Sequence, residues 1–319
     1  MHHALRRLAH AFTLFLTVAL PAAAADAPPD VAVFVARLDL KAGTLTELRN
    51  ITLTKGSHIQ PAFTPDGATV VYSAGHTGSY NVYRHELASG STTAVTRTTE
   101  NLYSPTPLPD GSGFSAIRVV TADPAYGIEM HQPSLWHFGW DGQPVAPVVP
   151  VKRIGYHAWI TPELIAAFIV DDVPQRNQHR AVLIDRRSGR QTLLTDKPGR
   201  ALARTADGRR ALFVDQTDPQ RWRISAQGPD EATPQVLVET PPLPEGDKPA
   251  NRPQYFARLP DGSLLMARGH LFLRWDGKAG SGFQPFADLP ALGGAVRNIA
   301  ASPDGTRLAV SVTLTPPKP

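Results

Sequence analysis

The chain has 319 residues, 42% of them hydrophobic and 8% aromatic, with 31 Pro, 25 Gly and no Cys. Charged residues make up 19%, and 32 Lys plus Arg against 28 Asp plus Glu leave a formal net charge of +4. Such a chain is too apolar to be disordered and long enough for a substantial core, and the lack of Cys excludes disulfide scaffolds, thiolate metal sites and a cysteine nucleophile. Arg6 and Arg7 sit in the first 25 residues, which contain no acid; the rest balances 30 basic against 28 acidic residues. No later block concentrates one sign of charge, so the footprint of a nucleic-acid binder is absent.

Residues 1–25 read as an export signal. Arg6 and Arg7 precede the apolar run AFTLFLTVAL, and small residues at Ala23 and Ala25 set up cleavage before Asp26. A run of about ten apolar residues is too short to span a bilayer. No Cys stands at the cleavage site, so a lipoprotein anchor is excluded, and no second spanning segment follows. The mature chain, 26–319, is expected to be exported to the periplasm or secreted, with no membrane span left.

A repeat organises the remainder. Phe63-Thr64-Pro65-Asp66-Gly67 recurs as Pro109-Asp110-Gly111, Ala206-Asp207-Gly208, Pro260-Asp261-Gly262 and Ser302-Pro303-Asp304-Gly305, with Thr161-Pro162-Glu163 as a degenerate copy. The acidic positions lie 44, 53, 44, 54 and 43 residues apart. Each copy joins a short strand-like segment (IQPAF, LYSPTPL, GYHAWI) to an aliphatic run (TVVYSA, FSAIRVV, LIAAFIV). Pro presets φ, Asp caps the turn and Gly accepts positive φ, so each copy predicts a tight hairpin. Further turns at Ala42-Gly43, Ser89-Gly90, Asp141-Gly142, Ser188-Gly189 and Asp276-Gly277 join a third strand to a fourth. Four strands per repeat and a period in the forties predict an all-β fold, a β-propeller of six four-stranded blades. VAVFVARLDL and TLTELRNITL supply only the third and fourth strands of a blade; Val296 to Ala301 and Thr306 to Leu314 supply only the first and second. Pairing these halves predicts one composite blade that closes a single-domain ring and hides two edges.

The segment Gln60-Pro61-Ala62-Phe63-Thr64-Pro65-Asp66-Gly67 resembles the PD-type, WD40-like repeats of TolB-like propellers. The resemblance covers essentially the whole mature chain. It is nearest to the stand-alone exported propellers of that family, because Glu100-Asn101-Leu102-Tyr103-Ser104-Pro105 and Gly155-Tyr156-His157-Ala158-Trp159 match their segments before the third blade and opening the fourth. The extra N-terminal α/β domain of TolB itself is expected to be absent. The resemblance implies fold and a periplasmic location, and it implies no particular activity.

Local catalytic motifs are missing: no G-x-S-x-G elbow, no His-Glu-x-x-His helix, no Asp-rich calcium loop and no phosphate-binding Gly-Lys-Ser/Thr. The first strand of each blade lines a propeller's channel, so aligning the repeats gives channel candidates. These are His58 and Gln60, Tyr103 and Ser104, Tyr156 and His157, Arg200, Gln254 and Tyr255, and Arg297 and Asn298, with Glu100 and Arg118 as possible additions. Such a ring suits an anionic or hydroxyl-rich ligand, although a water-filled channel is polar for its own reasons. His157, beside Tyr156 and Trp159, reads more readily as a packed residue than as a ligand. Trp136 and Trp140 read as core. The eight mature histidines, His58, His76, His85, His131, His137, His157, His179 and His270, show no metal-ligand spacing, which leaves a metal an open question. Pro241 to Ala250 and Arg176 to Arg180 read as exposed loops.

The resulting expectation is a monomeric, non-catalytic binding or scaffolding module for an envelope protein or peptide at the channel mouth, with no cofactor. The alternative is a carbohydrate or uronate binder, or a metal-dependent lyase, using channel His and Arg residues.

Overall fold

The computed structural model describes residues 30–315 except 53, 76–77, 121–131, 171–177, 244–245 and 247–251. Residues 1–25, expected to be an export signal, His76 and His131, and parts of both expected loops lie outside the described residues.

All the regular structure described is β apart from one 3-10 turn, Pro290–Leu292. Four sheets are four-stranded antiparallel meanders. The first contains β7 (Asn101–Pro107), β8 (Gly113–Val119), β9 (Pro133–Gly139) and β10 (Pro144–Lys152). The next contains β11 (Ile154–Thr161), β12 (Leu164–Ile169), β13 (Arg180–Asp185) and β14 (Gln191–Thr195). It is followed by β15 (Pro198–Arg204), β16 (Ala211–Asp215), β17 (Arg223–Gln227) and β18 (Gln235–Glu239). The last contains β19 (Phe256–Arg258), β20 (Leu264–Arg268), β21 (Leu271–Trp275) and β22 (Gln284–Asp288).

The remaining strands join the two ends of the chain. β1 (Val31–Asp39) pairs antiparallel with β2 (Thr44–Asn50) on one side and with β24 (Arg307–Leu314) on the other. β24 in turn pairs with β23 (Gly294–Ala301), so four strands from opposite ends form one meander, as the split repeat predicts. A single parallel bridge, Val31 to Ser57, links it to the meander of β3 (Ser57–Phe63), β4 (Thr69–Gly75), β5 (Tyr80–Glu86) and β6 (Thr92–Ala94).

The repeated turns behave as their chemistry dictates. Asp66 accepts hydrogen bonds from Thr64 Oγ1 at 2.5 Å and Ala68 N at 3.0 Å, while Gly67 adopts φ +69°. Asp304 repeats the arrangement with Ser302 and Thr306, and these donors hold its carboxyl at about 2. The hairpins therefore place each aliphatic run as the second strand of its sheet. β4, β8, β12, β16, β20 and β24 are buried over almost their whole length because both faces meet other sheets. Fourth strands such as β6 and β22 hold no buried residue.

Six apolar clusters form the core, each between two sheets. Leu102, Phe114 and Trp136 pack against Val82 of β5, and Ile165 and Val182 pack against Ile117 and Leu135. The meander built from both chain ends packs on two sides, through Val33, Val35 and Ala309 towards β4 and through Phe34, Val310 and Val312 towards Leu265 and Phe272. First strands also touch in series: β3 with β7, β7 with β11, β11 with β15, β15 with β19, β19 with β23 and β23 with β3. Turns can seal against the neighbouring sheet. Gly142, between β9 and β10, has φ +80°, and a Cβ there would lie 2.1 Å from the carbonyl oxygen of Val95 beyond β6.

Candidate functional site

First strands other than β19 shift register against their second strands, and the shift decides where their polar side chains go. β3 and β7 share one burial pattern and shift register between Ile59 and Ala62 and between Tyr103 and Thr106. Gln60 and Ser104 occupy equivalent positions with φ +57° and +51°, a left-handed backbone unusual for residues with a side chain. The exposed backbone groups are recruited by neighbours. Asn298 Oδ1 accepts Gln60 N at 3.1 Å, and Gln60 Oε1 accepts Ser104 N at 2.8 Å. Gln60 therefore staples three successive sheets.

His157 turns outward from the ring of first strands into a sheet interface. Its Nε2 lies 2.7 Å from Ser115 Oγ on β8, which also accepts Trp159 Nε1 at 2.9 Å. Burial pushes the imidazole down to about 3, so it is neutral. Since an unfolded histidine titrates near 6.5, the unfolded chain binds more protons between those values, and stability must fall as pH drops below about 6.5. Urea unfolding should therefore show wild type losing stability between pH 7 and pH 5 relative to His157→Gln, at up to ~1.4 kcal/mol per pH unit. An equal gap between the two proteins at both pH values would contradict the buried neutral ring.

The other candidates separate into three places. His58 is buried with Nδ1 2.8 Å from Val31 O and Nε2 3.2 Å from Thr54 Oγ1. It borders a cavity of about 600 Å³ with Tyr72, Tyr83 and His85, between the joined meander and the β3–β6 sheet. Glu100 and Arg118 satisfy each other through two hydrogen bonds of 2.6 and 2.8 Å, and the guanidinium lies 4.3 Å from the Trp136 ring centroid. Tyr103 packs on Tyr80 with centroids 4.8 Å apart, and burial raises its hydroxyl pKa.

Arg200, Gln254 and Arg297 do converge. With Arg252, Tyr255, Arg268 and backbone around Ala295 they line a cavity of about 450 Å³ where β15, the segment before β19, and β23 meet. Gln254 and Tyr255, expected on a first strand, precede it, because β19 begins at Phe256, three residues beyond Pro253, which has no N–H for a ladder. Four arginines and no acidic residue line the cavity.

Two of these arginines are tethered. Arg252 donates to Pro219 O at 2.8 Å and to Gln220 O, and its guanidinium sits 4.8 Å from the Trp222 ring. Arg268 donates to Pro242 O at 3.1 Å. Neither lies on a first strand, so repeat alignment does not single them out: Arg252 precedes β19 and Arg268 ends β20, and their only sequence mark is a place beside Pro253 and Gly269. Arg200 and Arg297 are exposed. Tyr156 and Tyr255, whose hydroxyls are 3.5 Å apart, flank Arg200 and strengthen its hold on its proton. Burial, with Tyr156, raises the Tyr255 hydroxyl, which stays protonated. The surface offers charge-assisted donors from two guanidinia, with a neutral amide and a phenol between them.

Among the described residues no group of three or more His, Asp or Glu side chains is placed to hold a metal. No helix of the described residues is long and apolar enough to cross a membrane.

No family model and no curated protein matches the sequence. Solved structures do. The TolB-assigned protein of Agrobacterium tumefaciens superposes with a TM-score of 0.66 at 15% identity, covering 91% of this chain and 100% of that one. A gluconolactonase from Xanthomonas campestris gives 0.56 at 14%, covering 93% and 99%. An oligogalacturonate lyase in complex with manganese gives 0.52 at 13%, covering 84% and 80%. At such identities the likeness defines the fold, which is that of a β-propeller of the TolB type. Two similar proteins are enzymes and one is not described as such, so the fold leaves activity open.

Proposed function

We propose that residues 26–319 form one exported, monomeric domain, a six-bladed propeller closed by the meander of β1, β2, β23 and β24. Contacts among first strands that return from β23 to β3, and six core clusters each between two sheets, support that reading. Residues 1–25 act as the export signal to the periplasm. The domain works as a non-catalytic binding module, and its partner is a protein or peptide docking at the channel mouth bordered by Arg200, Gln254 and Arg297.

One observation carries this reading. Four arginines gather in one concavity with no acidic residue among its lining, an arrangement that repels itself until an anionic partner arrives. The alternative, a metal-dependent lyase, finds no ligand set among the described residues, and His58 and His157 are tied to sheet interfaces.

The reading is tested by site-specific photo-crosslinking in cells. A crosslinker at Ala295, in the cavity, should capture a discrete envelope partner. One at Arg204, the other end of β15 and about 13 Å along the strand, should not. Arg200→Gln should abolish the Ala295 capture. Equal capture from both positions, or turnover of a defined substrate that Arg200→Gln abolishes, would reject a binding module at this mouth.

A further inference from the structure

Arg200 and Arg297 stand on strands from different sheets, β15 and β23, with the segment 252–255 between them. Arg252 and Arg268 are tethered to backbone carbonyls, whereas Arg200 and Arg297 are exposed on the two flanks, Arg200 beside the Tyr156–Tyr255 pair. The Gln254 amide between them can donate and accept at once, matching the N–H and C=O of a peptide unit. Tyr255, whose hydroxyl donates to the Tyr156 hydroxyl at 3.5 Å, stands at the same wall beside Arg200.

We propose that the cavity binds a peptide segment bearing two carboxylates, one held by Arg200 beside Tyr156 and Tyr255, the other by Arg297, with the intervening peptide group on Gln254. The assignment rests on the binding-module reading and names the chemistry of its partner. A volume of about 450 Å³ falls within the range of pockets that enclose a small ligand or the end of a chain. Planar guanidinium forks fit carboxylates in bidentate geometry, and the site's charge makes encounter salt-dependent.

The test uses the purified mature chain and a labelled, capped peptide of alternating glutamate and glycine, read by fluorescence anisotropy. The glutamate peptide should bind, and its glutamine counterpart should not. Arg200→Gln and Arg297→Gln should each weaken binding about tenfold or more, and Arg297→Lys, which keeps charge but loses the fork, should restore only part. Binding should weaken steeply from 0.1 to 1 M salt as screening shortens from about 10 to about 3 Å. Circular dichroism of the variants should match wild type, since both arginines are exposed. Equal binding of the glutamine peptide, indifference to both variants, or displacement by sulfate or digalacturonate at lower concentration than by the glutamate peptide would overturn the proposal. If Ala295 still crosslinks a partner in cells while the glutamate peptide fails, the dicarboxylate chemistry is wrong and the binding-module reading stands. If Ala295 captures nothing, it is the binding-module reading that fails.

Discussion

Val310→Asp is expected to cost at least ~4 kcal/mol, a large share of the roughly 5–15 kcal/mol that holds a domain together. Val310 is 3% exposed, lies opposite Phe34 of β1 and Ile299 of β23, and packs in the cluster containing Leu265 and Phe272. A carboxylate there would lose the valine's packing and find no cation among its core neighbours. It would strike the seam where strands from both chain ends are zipped together. The same chemical change on an outer strand is the control. Val145 of β10 is 55% exposed, and Val145→Asp should shift stability by no more than about 0.5 kcal/mol. Urea unfolding of the two variants reads the difference directly. Similar midpoints would mean that the seam between β1 and β24 contributes little to stability.

The second large effect is expected at Glu100 and Arg118. Their side chains are 27% and 12% exposed, and the pairing is bidentate. Removing Arg118 alone strands a carboxylate in a half-buried site and strips the cation from the face of Trp136. Arg118→Met should therefore cost about 2–3 kcal/mol, reduced from the fully buried case by the exposure of Glu100. Glu100→Gln combined with Arg118→Met should cost less than the sum of the single changes, with a coupling of roughly 1–2 kcal/mol. A coupling near zero would show a pair already screened by solvent.

Opposing demands meet in the first strands. A strand lining a ring must bond its neighbours in the sheet and also fit against first strands on either side. The bulges at Gln60 and Ser104 meet both demands, since left-handed backbone frees an N–H that a side chain of the preceding first strand accepts. Stapling of this kind ties β23, β3 and β7 together through Gln60.

What the sequence by itself determined are the features with local causes. Asp66-Gly67 and its copies specify their hairpins through contacts within a few residues, so both their spacing and the strand order were readable. The long aliphatic second strands were equally readable, because burial on both faces leaves an uninterrupted apolar run. The split repeat likewise foretold that β1 would pair with β24. Direction of the polar side chains was decided only by the tertiary structure. His58, His157 and Arg200 looked alike as first-strand residues, yet the first two turn into sheet interfaces, where Val31 O and Ser115 Oγ wait, and the third faces the cavity. A bulge breaks the two-residue alternation on which such assignments depend, and its placement answers to the neighbouring sheet. Arg252 and Arg268 lie off the first strands, one before β19 and one at the end of β20, and are held at the site by carbonyls of Pro219, Gln220 and Pro242 that only the folded chain brings near.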